Sequence, residues 1–324
     1  MSAVATSSVD RVGEVIASCS ERNVEFKEAE PVNVTGGVPS LIVFQDEWAT
    51  ISTASGIHYI GSTEATTCIL LFLENARKNL VSAAHYSSAD DCALTVAAQL
   101  NSLVGTVGEK EEAIVRVSMV GGFLVDSSCE KGRGLARELI KCLRKEEARW
   151  PGRLRVAFDL CFIMGINSQP HPQSPGEFNL PVYRNAVYSV VDRAVRPCLS
   201  WNMSSPIVPE ATFRYVSLFC RDDNILPCIF DAQSETVVLK LRRLPIWSGE
   251  FLAAMANNLV SDDFILKNFS TSPLAESDNF PNDMRAACKF LLEHGSDCKQ
   301  YYKGRAELRF KLAPSSSAWE LVDV

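Results

Sequence analysis

Two residues could do chemistry together in this chain: Cys68, and His85 seventeen positions after it. A free thiol has a pKa near 8.5, so only a few per cent is thiolate at pH 7; an imidazolium beside it favours the nucleophilic form. The intervening residues decide whether the two can meet. Cys68 to Leu73 is an apolar run that reads as a buried strand. Glu74 to Asn79 is polar and reads as a turn, and Leu80 to His85 as the returning strand. A hairpin centred between Ala76 and Arg77 sets Cys68 directly opposite His85, on one face of the sheet. A slip of one residue would put them on opposite faces.

A competing explanation exists for the same residues. The chain has 11 cysteines and 4 histidines, so some Cys–His spacing of this kind arises by chance. A cysteine that opens a buried strand also serves as a small core residue.

Four segments carry a family resemblance. Ser62 to Cys68 reads S-x-E-A-T-T-C, Met119 to Phe123 contains V-G-G-F, Ser270 to Glu276 reads S-T-S-P-L-A-E, and Val43-Phe44-Gln45 is followed by Glu47 and Ala49. In this order they resemble the eukaryotic protein N-terminal asparagine amidohydrolases over about residues 40 to 295. The cysteine-to-histidine interval is also similar to that of bacterial chemoreceptor glutamine deamidases. Residues 1–40 and the stretch from Gln169 to Glu177 do not match the family.

The resemblance implies an enzyme that converts an N-terminal asparagine to aspartate and releases ammonia. Cys68 would attack the side-chain carbonyl, and His85 would protonate the departing ammonia. A thioester would then be hydrolysed with His85 as general base. Ser62 is the candidate for orienting His85, by analogy with the bacterial deamidases; it could equally be a turn residue after Gly61. The Cys68 and Thr67 amides are candidates for stabilising the oxyanion. An α-amine is mostly cationic at pH 7, so a pocket carboxylate would select it. Glu64 is the first candidate, against a solvated turn carboxylate, and Glu276 the second, against a capping or loop carboxylate. Gly121 and Gly122 could let backbone approach the substrate, or simply end a strand.

The resemblance further implies a place in N-degron proteolysis, where the new aspartate is arginylated and recognised by a ubiquitin ligase. No metal or organic cofactor is required. The expected partners are proteins or peptides with a free N-terminal asparagine, met by a monomer. A non-catalytic binder of N-terminal asparagine, a deamidase of internal glutamine and a thiol redox protein are the alternatives.

Composition sets limits on all of these. Net charge is −7, and the one dense basic run, Lys131 to Lys145, alternates with apolar residues at helical spacing. That disfavours nucleic acid as a partner. No segment reaches the ~20 apolar residues of a membrane span, and the first residues lack a secretory pattern. Reduced thiols in the cytosol, or also the nucleus, are the expectation.

Helices are expected over residues 9–19, 88–103, 134–150, 262–267 and 282–294. Strands are expected over 41–44, 49–51, 58–60, 113–120, 154–166, 182–191, 212–219, 225–230, 236–241, 306–312 and 319–322, with a loop at 167–179. Residues 1–40 read as an N-terminal extension with a short helix and 41–324 as a single domain. The interleaving of short strands with helices predicts an α+β fold. By resemblance it is a layered α-β-β sandwich like that of the Cys-His deamidases.

Overall fold

The computed structural model describes residues 8–105, 112–125, 130–173, 177–204, 207–217, 225–240, 247–295, 301–313 and 316–322. Along the chain run α1 (Ser8–Ser18), α2 (Ser20–Glu28), β1 (Val32–Val34), β2 (Ser40–Ile42), β3 (Trp48–Ser52), β4 (Tyr59–Ser62), β5 (Ile69–Asn75) and β6 (Leu80–Tyr86). Then come α3 (Cys92–Val104), β7 (Ala113–Phe123), α4 (Glu130–Arg149), β8 (Leu154–Met164), β9 (Ser168–Pro170), β10 (Asn179–Pro181), β11 (Ala186–Ser189) and β12 (Ala194–Trp201). The rest is α5 (Ala211–Ser217), β13 (Phe230–Asp231), β14 (Thr236–Lys240), α6 (Gly249–Ala256), α7 (Asp262–Phe269), α8 (Phe280–His294), β15 (Glu307–Leu312) and β16 (Trp319–Val322).

The fold is α+β, and its central sheet runs β3-β6-β5-β7-β8. Every residue of β5 is buried, which explains its unbroken apolar run. Ile69, Leu71 and Leu73 face Cys92, Val96 and Leu100 of α3 and Leu139 and Leu143 of α4. Alternate residues Leu70 and Phe72 face a second sheet, β1-β12-β11-β4-β2, through Ile60, Ala186 and Tyr188. A third sheet, β13-β14-β15-β16, adds Val237, Leu239 and Phe310 to that same apolar layer. Near the N-terminus α1 and α2 pack on β8: Asn23 accepts from the Cys161 amide (2.9 Å), and Phe26 lies 5.1 Å from the Phe162 ring.

The β5–β6 register differs from the expected one. Leu70 pairs with His85 and Asn75 with Leu80, so Cys68 is not directly opposite His85 but displaced by two positions. The polar residues counted as turn remain in the ladder because tertiary partners hold them there. Glu74 is buried between Arg116 and Arg193, and Asn75 Nδ2 donates to the Leu103 carbonyl (2.9 Å). Only Ala76 to Asn79 are left for the turn, with Asn79 at φ +55°. A displacement of two preserves side-chain parity, so Cys68 and His85 still share a face.

A second expectation is overturned at residues 212–217, where a helix, α5, replaces the predicted strand; residues 218–219 lie outside the described residues. Phe213 and Val216 bury one helical face, and Arg214 is drawn to Glu47. Tertiary packing outweighs the β-propensity of this aromatic, β-branched stretch. Strand β12 and helix α6 were not foreseen, and the loop at 167–179 contains the short β9–β10 hairpin.

Candidate active site

Cys68 immediately precedes β5, on the face that looks toward the second sheet, and is 7% exposed. His85 stands on the neighbouring strand, one diagonal step away, where Cβ atoms are roughly 7 Å apart and an imidazole can reach across. From the opposite sheet β4 ends on Ser62, whose Oγ lies 2.7 Å from His85 Nδ1. If Nδ1 carries the proton, Ser62 accepts it and Nε2 keeps its lone pair. Nε2 is buried and has no hydrogen-bond partner among the described residues. Burial pushes the His85 pKa down from 6.5 to about 3, so the resting imidazole is neutral. It is therefore not the resident cation beside the thiol that the sequence predicts.

Glu74, at the far end of β5, has its carboxylate satisfied by two arginines, although Nε of one of them, Arg116, is buried without a partner as His85 Nε2 is. What sets the Cys68 end apart is that its unpartnered atom is a neutral ring nitrogen on the face that also carries a thiol.

The Cys68 segment is braced on both sides. Gly122 N donates to the Cys68 carbonyl (2.7 Å), and Phe123 N to the Thr66 carbonyl (3.3 Å). Gly121 has φ +118°, and a Cβ there would overlap the Cys68 carbonyl oxygen. The close approach these glycines allow is thus to the backbone of Cys68 itself. On the other side the Ser270–Glu276 run docks: Thr67 Oγ1 meets Thr271 Oγ1 (3.1 Å), and Ser272 Oγ donates to Thr66 Oγ1 (2.8 Å). Two motifs separated by about 200 residues in sequence therefore form one wall.

Carboxylates gather beside this wall. Glu64 has a left-handed backbone, φ +60°, with its amide held by Asn185 Oδ1 (2.8 Å) and its carboxylate 3.7 Å from Arg184 Nη1. Its side chain is 45% exposed, and partial burial raises its pKa against the pull of Arg184. Glu276 accepts from Ser270 and, at 3.4 Å, from Ser272, which braces its loop. Burial raises its pKa, Ser270 opposes, and the charge of Glu64 adds to the rise. Asp283, on α8, is raised by burial and then by Glu64. Three acids thus share a neighbourhood with Arg184.

Sequence reasoning did not single out Arg184 or Asp283, which belong to none of the quoted motifs. It also gave no site role to Gln45, visible only as part of the Val43–Ala49 resemblance; its Oε1 is 3.9 Å from Cys68 Sγ. Among the described residues no cluster of three or more His, Cys, Asp or Glu could hold a metal ion, and no helix there is long and apolar enough to cross a membrane.

A thiol, a buried imidazole and a hydroxyl that orients it are the parts from which nucleophilic hydrolases are built. The chain belongs to the protein N-terminal asparagine amidohydrolase family, whose pattern matches residues 28–321. A protein N-terminal asparagine amidohydrolase of Arabidopsis thaliana is 26% identical over 290 residues, covering 85% of this chain and 79% of that protein. The Homo sapiens protein of that name is 25% identical over 304 residues, covering 93% and 90%, and that of Sus scrofa 25% over 293 residues, covering 90% and 86%. The family is one of hydrolases.

Proposed function

We propose that this protein hydrolyses the side-chain amide of an N-terminal asparagine, through a thioester on Cys68. The observation that carries the reading is the buried His85, fixed by Ser62 at Nδ1 and unpartnered at Nε2, on the face it shares with Cys68. The placement of Cys68 just before one strand and of His85 on the neighbouring strand is also the ground for relating the fold to the Cys-His deamidases.

In the first step Cys68 Sγ bonds to the side-chain carbonyl carbon, its proton passes to His85 Nε2, and the carbonyl electron pair moves to oxygen. Collapse of that oxyanion breaks the C–N bond, and the His85 proton leaves with ammonia. Water then attacks the thioester, losing a proton to His85. The thiolate leaves and is reprotonated, so asparagine plus water becomes aspartate plus ammonia.

Glu64 supplies the negative charge for the substrate α-amine, and Glu276 supports it. Among the described residues the carboxylates of Glu64, Glu276 and Asp283 outnumber the Arg184 guanidinium beside this wall, which favours a cationic amine over an internal asparagine. The protein is proposed to act as a monomer in the cytosol or nucleus, where thiols stay reduced. There its aspartate product feeds N-degron degradation.

Ammonia release from peptides beginning with Asn, Gln or acetyl-Asn, by wild type and Cys68→Ala, tests this. Release from free N-terminal Asn alone, lost in the variant, is expected. Release from acetyl-Asn or Gln would point to a broader deamidase, and none from any peptide to a binding protein. Glu64→Gln is expected to raise KM for the free amine by up to about fivefold, as when one exposed ionic contact is lost.

A further inference from the structure

The turn from Val43 to Glu47 is built with more care than a surface connection needs. Glu47 is buried and pairs with Arg214, which is 1% exposed, at 2.5 Å. The Glu47 carboxylate also accepts from Phe44 N (2.8 Å), and Arg214 donates to the Ile42 carbonyl (2.7 Å) and covers the Phe44 ring. Asp46 adopts φ +61°; its amide donates to the His85 carbonyl (2.8 Å), and His85 N donates to the Glu47 carbonyl (3.1 Å). The turn is thereby locked to the backbone of His85. Its half-buried tip residue, Gln45, places its carboxamide at Cys68 Sγ, 3.9 Å away.

We propose that Gln45 is a catalytic residue, the side-chain donor to the oxyanion formed when Cys68 attacks a carbonyl. This rests on the reading of Cys68 as nucleophile. With the thiol at rest, Gln45 Oε1 accepts from Sγ. Once sulfur gives its proton to His85 and bonds to the carbonyl carbon, Oε1 has lost its donor. Half a turn of the amide brings Nε2, with two N–H groups, to the same place. The opposing contact of Nε2 with Asp46 Oδ2, at 3.5 Å, is long and easily given up. An oxygen on a carbon bonded to Sγ stands less than about 3 Å from sulfur, so a donor 3.9 Å from sulfur comes within the roughly 3 Å such donors need when the C–O bond points to the Gln45 side. No atom is transferred to or from Gln45; it meets charge that exists only in the transition state and intermediate.

The test compares wild type, Gln45→Ala, Gln45→Met (similar in volume, without N–H) and Cys68→Ala. Two rates are measured: ammonia release from an N-terminal asparagine peptide, and alkylation of Cys68 by iodoacetamide, followed by mass spectrometry of its peptide. Alkylation displaces iodide at a saturated carbon and forms no oxyanion. Both Gln45 variants are expected to lose about 10²–10³-fold in kcat, with KM and alkylation within about threefold of wild type. A kcat within about threefold overturns the assignment. So does a parallel fall in alkylation, which would give Gln45 to the thiol instead. An inert Cys68→Ala beside fully active Gln45 variants refutes only the role of Gln45, whereas an active Cys68→Ala refutes that role together with the nucleophile.

Discussion

The neutral state of His85 can be measured as a loss of stability on mild acidification. The folded site holds the imidazole near pKa 3, whereas the unfolded chain restores it to the ordinary 6.5. The folded pKa is depressed, so between those two values the unfolded state binds the extra proton. Stability is present above 6.5 and is lost as pH falls through the window toward 3. From pH 7 to pH 5 this single group removes about 2 kcal/mol, and the full span down to pH 3 about 4–5 kcal/mol. Carboxylates also titrate there, so the effect must be read as a difference. Urea unfolding is followed by tryptophan fluorescence in Cys68→Ser, where no thiol exchanges a proton with the ring, and in Cys68→Ser with His85→Asn, whose amide can still donate to Ser62. With an m-value of about 3 kcal/mol/M, the midpoint of the histidine-containing protein falls about 0.6 M further between pH 7 and pH 5. Superimposed pH dependences would mean that the ring takes up its proton as freely folded as unfolded, and the lowering of its pKa by burial would be refuted.

Four other perturbations have defined outcomes. Ser62→Ala leaves Nδ1 of a buried imidazole without its hydrogen-bond partner, a penalty of about 1–3 kcal/mol; kcat is expected to drop at least tenfold, with KM little changed, in ammonia-release kinetics. Gly121→Ala forces a side chain into a left-handed backbone against the Cys68 carbonyl and is expected to destabilise by about 2 kcal/mol or more in thermal unfolding. Gly13→Ala, in open space within α1, should by contrast stabilise by up to about 1 kcal/mol. Arg214→Met strands the Glu47 carboxylate in the interior, at about 3–5 kcal/mol in denaturant unfolding, much of it recovered by adding Glu47→Gln.

Much of this site could be read along the chain, but at uneven depth. Burial shows directly in composition, so the apolar β5 and the helices α3, α4 and α8 follow from periodicity. Pairing partners do not. Residues 212–217 carry strand-like side chains and form α5 because Arg214 has a partner 167 positions away in Glu47. No local pattern contains that information. The same is true of Gln45, whose neighbours are ordinary and whose position comes from a buried ion pair and a turn bonded to His85. The motifs did supply the pieces of the wall, but that Ser272 would meet Thr66 is a fact of the fold alone.

The β5–β6 register shows where such reasoning is robust. The expected alignment was displaced by two residues because Glu74 and Asn75, polar enough to be counted as turn, find buried partners and stay in the ladder. A strand has a side-chain period of two, so this displacement alters every opposed pair yet moves no side chain to the other face. The shared face of Cys68 and His85 therefore rests on parity, whereas their direct opposition rested on a turn whose ends only tertiary contacts determine. The diagonal placement has a chemical consequence. It leaves the position directly across from Cys68 beyond the end of the ladder, so the thiol lies at the edge of the layer, still 7% exposed, while His85, one step further in and 1% exposed, is sealed by Ser62 and the sheet. On the proposed mechanism this order has a use, because the substrate must reach the sulfur while the imidazole exchanges its proton with the reacting groups rather than with solvent.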